Sequence, residues 1–218
     1  MTAQISDRII YNHRKFYIAI ANGHGLFNPA DHNIHPVSLS TACYRGFHCT
    51  YTIIDDSLYL HEVCLGLNKK NAKLAKLCQG PLLFGQLPTQ QEIQKKNYNF
   101  MLSEWKYQWP PSSDSIDRLM ASIEFTGGLL IADDFIREMY VHIGFHSIYK
   151  YRTVCELIFE RGHLVKAIDC TSKIAELHQI IEDREKCLNL RKSQKEALDF
   201  LNQCFTLDYK IKYINISL

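Results

Sequence analysis

Over residues 42–65, aromatic and β-branched side chains dominate, and Tyr51 and Ile53 alternate with Thr50 and Thr52. A two-residue period of this kind marks a strand with one buried face. The acidic pair Asp55-Asp56 interrupts the pattern, which predicts a β-hairpin. Residues 8–20 hold two similar runs around Asn12-His13, where asparagine tolerates the left-handed backbone of a tight turn, and predict a second hairpin. Residues 151–168 predict a third, turning at Glu160-Arg161-Gly162. Between these, residues 22–41 read as an irregular loop rich in Gly, Pro and His, and residues 115–132 carry a short element, Gly127-Gly128 and an apolar run.

After Thr171 the period lengthens. Ile174, Leu177, Ile181 and Leu188 fall near one helical face, as do Leu198, Leu201 and Phe205. Thr171 or Ser172 supplies an N-cap, and Ser193 with Glu196 has capping-box spacing, so residues 171–205 form one long helix or two. The end of the chain, residues 207–218, alternates as an edge strand guarded by Lys210 and Lys212. Residues 66–112 differ in character. Helix-like runs at 68–77 and 92–105 are broken by Pro81, Pro88, Pro110 and Pro111. The fold class expected is α+β: a mostly antiparallel sheet built from β-hairpins, with a helical C-terminal segment. Residues 1–170 form a β-rich core with a partly helical insertion at 66–112, and residues 171–218 pack on it.

Composition narrows the function classes. Hydrophobic residues are 46% and charged residues 22% of the 218, the balance of a folded protein. The net charge of +2, from 25 basic and 23 acidic side chains, provides no field for nucleic acid or an anionic membrane. The chain has no apolar run of spanning length and no basic, apolar start, which predicts a cytoplasmic protein; export by a specialised secretion system would leave no such mark. Eight scattered cysteines with no C-x-x-C pair read as reduced structural thiols.

Three residues are candidates for ligand binding: Arg45, Tyr140 and His142. Arg45 precedes Gly46 in a predicted strand; arginine captures phosphate or carboxylate with two parallel hydrogen bonds, and glycine lets a ligand approach the backbone. Tyr140, His142 and His146 share a face if the segment is a strand. A metal on His142 and His146 lacks a third ligand, and His24, His32 and His35 match no known ligand spacing, so no metal and no cofactor is expected.

Three segments together resemble an uncharacterised bacterial protein family: Thr41-Ala-Cys-Tyr-Arg-Gly-Phe47, Phe125-Thr-Gly-Gly-Leu-Leu-Ile131, and Tyr140-Val-His-Ile-Gly-Phe-His-Ser-Ile-Tyr149. The resemblance covers about half the chain and implies a shared fold; it carries no known activity. Tyr44 stands where that family usually has Trp, His146 where a small residue is common, and Lys150 where an acid follows the Tyr. Tyr-Arg-Gly on an early strand also resembles ADP-ribosyltransferase folds, which would give Thr126 and Glu124 or Glu156 the remaining roles. The reading expected is a non-enzymatic protein-interaction module that meets another protein through the mixed-charge helical segment 171–205. The alternative is an enzyme acting on a nucleotide-like substrate through Arg45.

Overall fold

The computed structural model describes residues 2–92, 103–108, 121–185 and 190–211. It corrects the expected fold class: the architecture is a closed β-barrel, where an α+β sheet with a helical end was expected. Ten strands are described: β1 (Arg8–Tyr11), β2 (Arg14–His24), β3 (Phe47–Ile54), β4 (Ser57–Leu65), β5 (Thr89–Glu92), β6 (Ser103–Gln108), β7 (Ala121–Ser122), β8 (Thr126–Phe135), β9 (Tyr151–Glu160) and β10 (His163–Asp169). Seven of them run in the order β10-β9-β8-β2-β1-β3-β4 and close where β10 meets β4. All neighbours are antiparallel except β1 and β3, which pair in parallel.

The three hairpin turns form where the sequence places them. Asn12 and His13 (φ 48° and 61°), Asp55 and Asp56 (47° and 57°), and Arg161 and Gly162 (45° and 84°) are left-handed pairs, the turn whose twist matches the flanking strands. Two of these turns make the barrel seam. His163 pairs with Ser57, Leu58 donates to the Gly162 carbonyl at 2.8 Å, and Leu164 donates to that of Asp56 at 2.7 Å.

Strand β4 uses one edge for β3 and divides the other. Ser57 meets β10, Tyr59 and Leu60 meet β7, and residues Glu62 to Leu65 meet β6, which in turn pairs with β5. The segment expected as a helix at 92–105 therefore enters a strand at its described end. Trp105 and Tyr107 are buried while Glu104 and Lys106 face the other way, the two-residue period of β6. The insertion keeps one helix, α1 (Lys69–Lys76), capped by the Asn68 side chain. The break expected at Pro110 and Pro111 lies outside the described residues, as does most of the expected final strand; residues 208–211 are not a strand.

Two apolar clusters hold the molecule together. One contains Tyr51, Leu129, Ile131, Leu157, Phe125 and Phe159, wholly buried side chains that fill the barrel. A seven-stranded barrel packed this way keeps its interior for side chains, and ligands must meet it at its ends or outer face. The second cluster lies across the sheet. Leu130, Ala132 and Val154 pack with Ile174, Leu177 and Ile181 of α2 (Thr171–Glu185) and with Ala197 and Leu201 of α3 (Leu190–Gln203). Strand β8 is thus apolar on both faces, which accounts for its unbroken apolar run. The Asp169 carboxylate accepts from the amide of Thr171, the first residue of α2, at 2.8 Å, and the Thr171 hydroxyl bonds to the Val154 backbone, so neither Thr171 nor Ser172 is the N-cap expected.

Glu156 sits on the helix-facing side of β9 and is fully buried. Its carboxylate accepts from the Thr206 and Leu207 amides (2.8 and 3.1 Å) and from the Tyr209 hydroxyl (3.0 Å). Gly128 makes room for this: a Cβ there would lie 2.2 Å from the Tyr209 oxygen. The chain beyond α3 is fastened to β9 by these bonds. Among the described residues no helix is long and apolar enough to cross a membrane.

Candidate functional site

Arg45 lies in the turn before β3, outside the strand expected for it. Gly46 has φ 81°, and a Cβ on it would sit 2.6 Å from the Val37 carbonyl oxygen, so the turn requires glycine. The Arg45 guanidinium is committed within the fold. Its Nε donates to the Phe47 carbonyl at 2.7 Å, both terminal nitrogens bond to the Asp7 carboxylate, and it stacks over the Phe47 ring at 4.6 Å. Asp7 also accepts from the Cys49 amide at 2.6 Å. The arginine brackets the start of β3 to the residue preceding β1.

Tyr140 and His142 stand together on an exposed loop, the tyrosine oxygen 3.0 Å from Nδ1 of His142. His146 turns inward instead, its ring 4.7 Å from that of Phe135 and 5.2 Å from that of Tyr140. Burial lowers its pKa, and the nearby Lys150 ammonium adds to that. The sign of the pH dependence follows. A folded pKa below the ordinary 6.5 means the native state binds fewer protons than the unfolded chain, so this contribution costs stability as pH falls through 6.5 and levels off below the folded pKa. Melting temperatures measured between about pH 5 and pH 7 are expected to rise with pH, with a shallower slope in His146→Asn.

The two motif loops meet, although Arg45 and His142 do not. Gln4 joins them: its amide donates to the Gly144 carbonyl at 2.7 Å, its side chain donates to the Thr41 carbonyl at 2.7 Å, and its Oε1 accepts from the Tyr44 amide at 3.2 Å. Ala3 forms a parallel bridge with Gly144. Around this fastening lies a groove of about 640 Å³ lined by Thr2, Gln4, Thr41, Tyr44 and Gly144. Tyr44 is 80% exposed, and Tyr140, Ile143 and Phe145 are each at least half exposed.

The residues of the nucleotide reading are engaged separately. Thr126 Oγ1 accepts from the Arg161 amide at 2.9 Å, and Glu156 holds residues 206–209; neither shares a hydrogen-bond partner with Arg45. Of the loop histidines, His32 packs against the rings of Phe27 and Phe84 (5.3 and 4.7 Å). The helical segment expected to meet a partner packs its apolar stripe on the protein's own sheet.

A different cluster was not singled out in the sequence. His48 on β3 is the register partner of Cys64 on β4, and Glu104 on β6 lies beside them. Their ligating atoms all fall within 4.8 Å of one another, with His48 Nε2 3.1 Å from Glu104 Oε1. Cys64 is buried, and its thiol donates to Glu62 at 3.5 Å. Glu62 pairs with Lys106 at 2.5 Å. Burial pushes the Cys64 thiol pKa well up, and the Glu104 and Glu62 carboxylates push it further. The turn at 55–56 sets the β3–β4 register, so the His48–Cys64 pair was within reach of a strand alignment; no local spacing points to Glu104. Among the described residues the cysteines are free thiols, mostly buried, and Cys187 lies outside them.

Compared with protein-family models, curated proteins and solved structures, the chain gives no match.

Proposed function

We propose that the protein is a binding module that takes up an uncharged, aromatic-bearing peptide segment of another protein at the groove between the two motif loops. The observation that carries this is the set of exposed side chains Tyr44, Tyr140, Ile143 and Phe145, presented from two loops that Gln4 locks together. Exposed apolar side chains grouped on joined loops are a mark of interaction sites, and aromatic residues dominate the energetics of such sites. The groove lining is uncharged, which suits apolar side chains and offers a phosphate no counter-charge. Ile143 and Phe145 flank the lining residue Gly144 and are exposed, which adds apolar side chains at the edge of the groove.

The test is a selection of random displayed peptides against the protein, followed by fluorescence anisotropy with the recovered sequences. Peptides carrying aromatic or aliphatic residues are expected to bind, and the double variant Tyr44→Ala, Phe145→Ala should weaken them by about tenfold or more. Both positions are exposed, so the variant should fold. Selected peptides that bind the double variant as tightly as the wild type would place recognition elsewhere and sink the proposal.

A further inference from the structure

We infer that the outer face of β3, β4 and β6 is a zinc site, with His48, Cys64 and Glu104 as protein ligands and water in the fourth position. Three observations converge on it. The first is the donor set: a thiolate, an imidazole and a carboxylate are the three ligand types zinc takes, and the sulfur selects against magnesium and calcium. The second is the spacing. Zinc bond lengths of about 2.0–2.3 Å in a tetrahedron place ligand atoms roughly 3.3–3.7 Å apart. The His48–Glu104 pair at 3.1 Å lies just inside this spacing and no pair exceeds 4.8 Å, so shifts of about an ångström or less, within reach of small side-chain rotations, would complete the arrangement.

The third observation is the scaffold. Each ligand comes from a different strand of one hydrogen-bonded ladder: His48 opposes Cys64, and Cys64 opposes Lys106, two residues along the same strand face from Glu104. The ligands are held by backbone pairing rather than by a loop, and all three side chains are largely shielded from water. A simpler reading is an ion pair between His48 and Glu104 beside the one between Glu62 and Lys106. That reading gives no part to the buried Cys64 sulfur, which lies within the same 4.8 Å cluster as the His48 and Glu104 ligand atoms. Zinc binding would replace the thiol proton, which leaves to solvent. Three protein ligands with an open fourth position match the coordination of reactive zinc rather than of closed structural sites.

The experiment uses the full chain stripped with a chelator and titrated with Co²⁺ and then Zn²⁺. Expected are one equivalent bound, a thiolate-to-cobalt charge-transfer band with the visible absorption of a tetrahedral ion, and displacement of that cobalt by zinc. Cys64→Ser should abolish the charge-transfer band. His48→Ala and Glu104→Gln should each weaken zinc by more than about a hundredfold, beyond the loss usual for outer-shell partners. Cys78→Ser, which removes an exposed thiol, should change nothing. Circular dichroism of each metal-free variant separates lost binding from lost folding, and Glu104→Gln keeps the side-chain shape if Cys64→Ser fails to fold. Cobalt binding without a thiolate band, binding that survives in Glu104→Gln and His48→Ala, or no saturable binding overturns the inference.

Discussion

Replacing Glu156 with alanine is expected to lower the free energy of unfolding by about 3 kcal/mol, read from equilibrium denaturation in urea. The side chain is fully buried and accepts three hydrogen bonds, two of them from backbone amides. Removing it strands those donors next to a void, and each buried unsatisfied group costs about 1–3 kcal/mol. Part of the loss is recovered because a buried carboxylate no longer has to be desolvated, which keeps the total below the sum. Tyr209→Phe removes one donor and leaves the amide bonds intact, so it should cost about 1 kcal/mol. The two changes should be non-additive in a double-mutant cycle. A loss under about 1 kcal/mol in Glu156→Ala would mean that residues 206–209 are held by packing alone.

The second large effect is expected at Asp7. Asp7→Ala leaves the Cys49 amide without its acceptor and Arg45 without its counter-charge, at the point where β1 and β3 begin their parallel pairing. The expected cost is about 2–3 kcal/mol, since hydrogen bonds to charged groups contribute about 1.5–3 kcal/mol each and Arg45 remains partly solvated. Asp7→Asn keeps an acceptor for Cys49 and should lose about half as much. Urea titrations of the two variants side by side decide it. Equal losses would mean that charge, rather than the bond to Cys49, is what matters there.

The hairpins were legible because their signals are local. A two-residue alternation and a turn pair that accepts left-handed backbone lie within twenty residues of each other, as at Asn12-His13 and Asp55-Asp56. Barrel closure was not. It depends on β1 lying parallel to β3 and on His163 reaching Ser57, contacts between segments far apart in the chain. The described ends of the run expected as a helix, Glu92 and Ser103 to Trp105, are in strands: Trp105 favours a pleated, half-buried surface, and the edge of β4 takes it into β6 and buries it.

The site was legible in the same uneven way. Arg45 stood out as a lone arginine beside glycine, and its partner Asp7, 38 residues earlier, could not be read from spacing. His48 and Glu104 are 56 residues apart and meet only because two neighbouring strands of β4 carry them. The loops with Tyr44 and Gly144 carry separate motifs; what brings them together is Gln4, which lies in neither and holds Gly144 by its backbone amide and Thr41 and Tyr44 by its side chain.

Hairpin tips are usually where a chain tolerates added length best. The seam reverses that rule for two of the three tips here. The Asp55-Asp56 and Arg161-Gly162 turns hydrogen-bond to each other's strands through Leu58 and Leu164, and Gly162 also donates to the Phe125 carbonyl. An extra residue in either would separate the strands that complete the ring. Variation in length is therefore steered to the Asn12-His13 tip and to the loops, and a peptide tag or reporter domain inserted into this protein should go at the former.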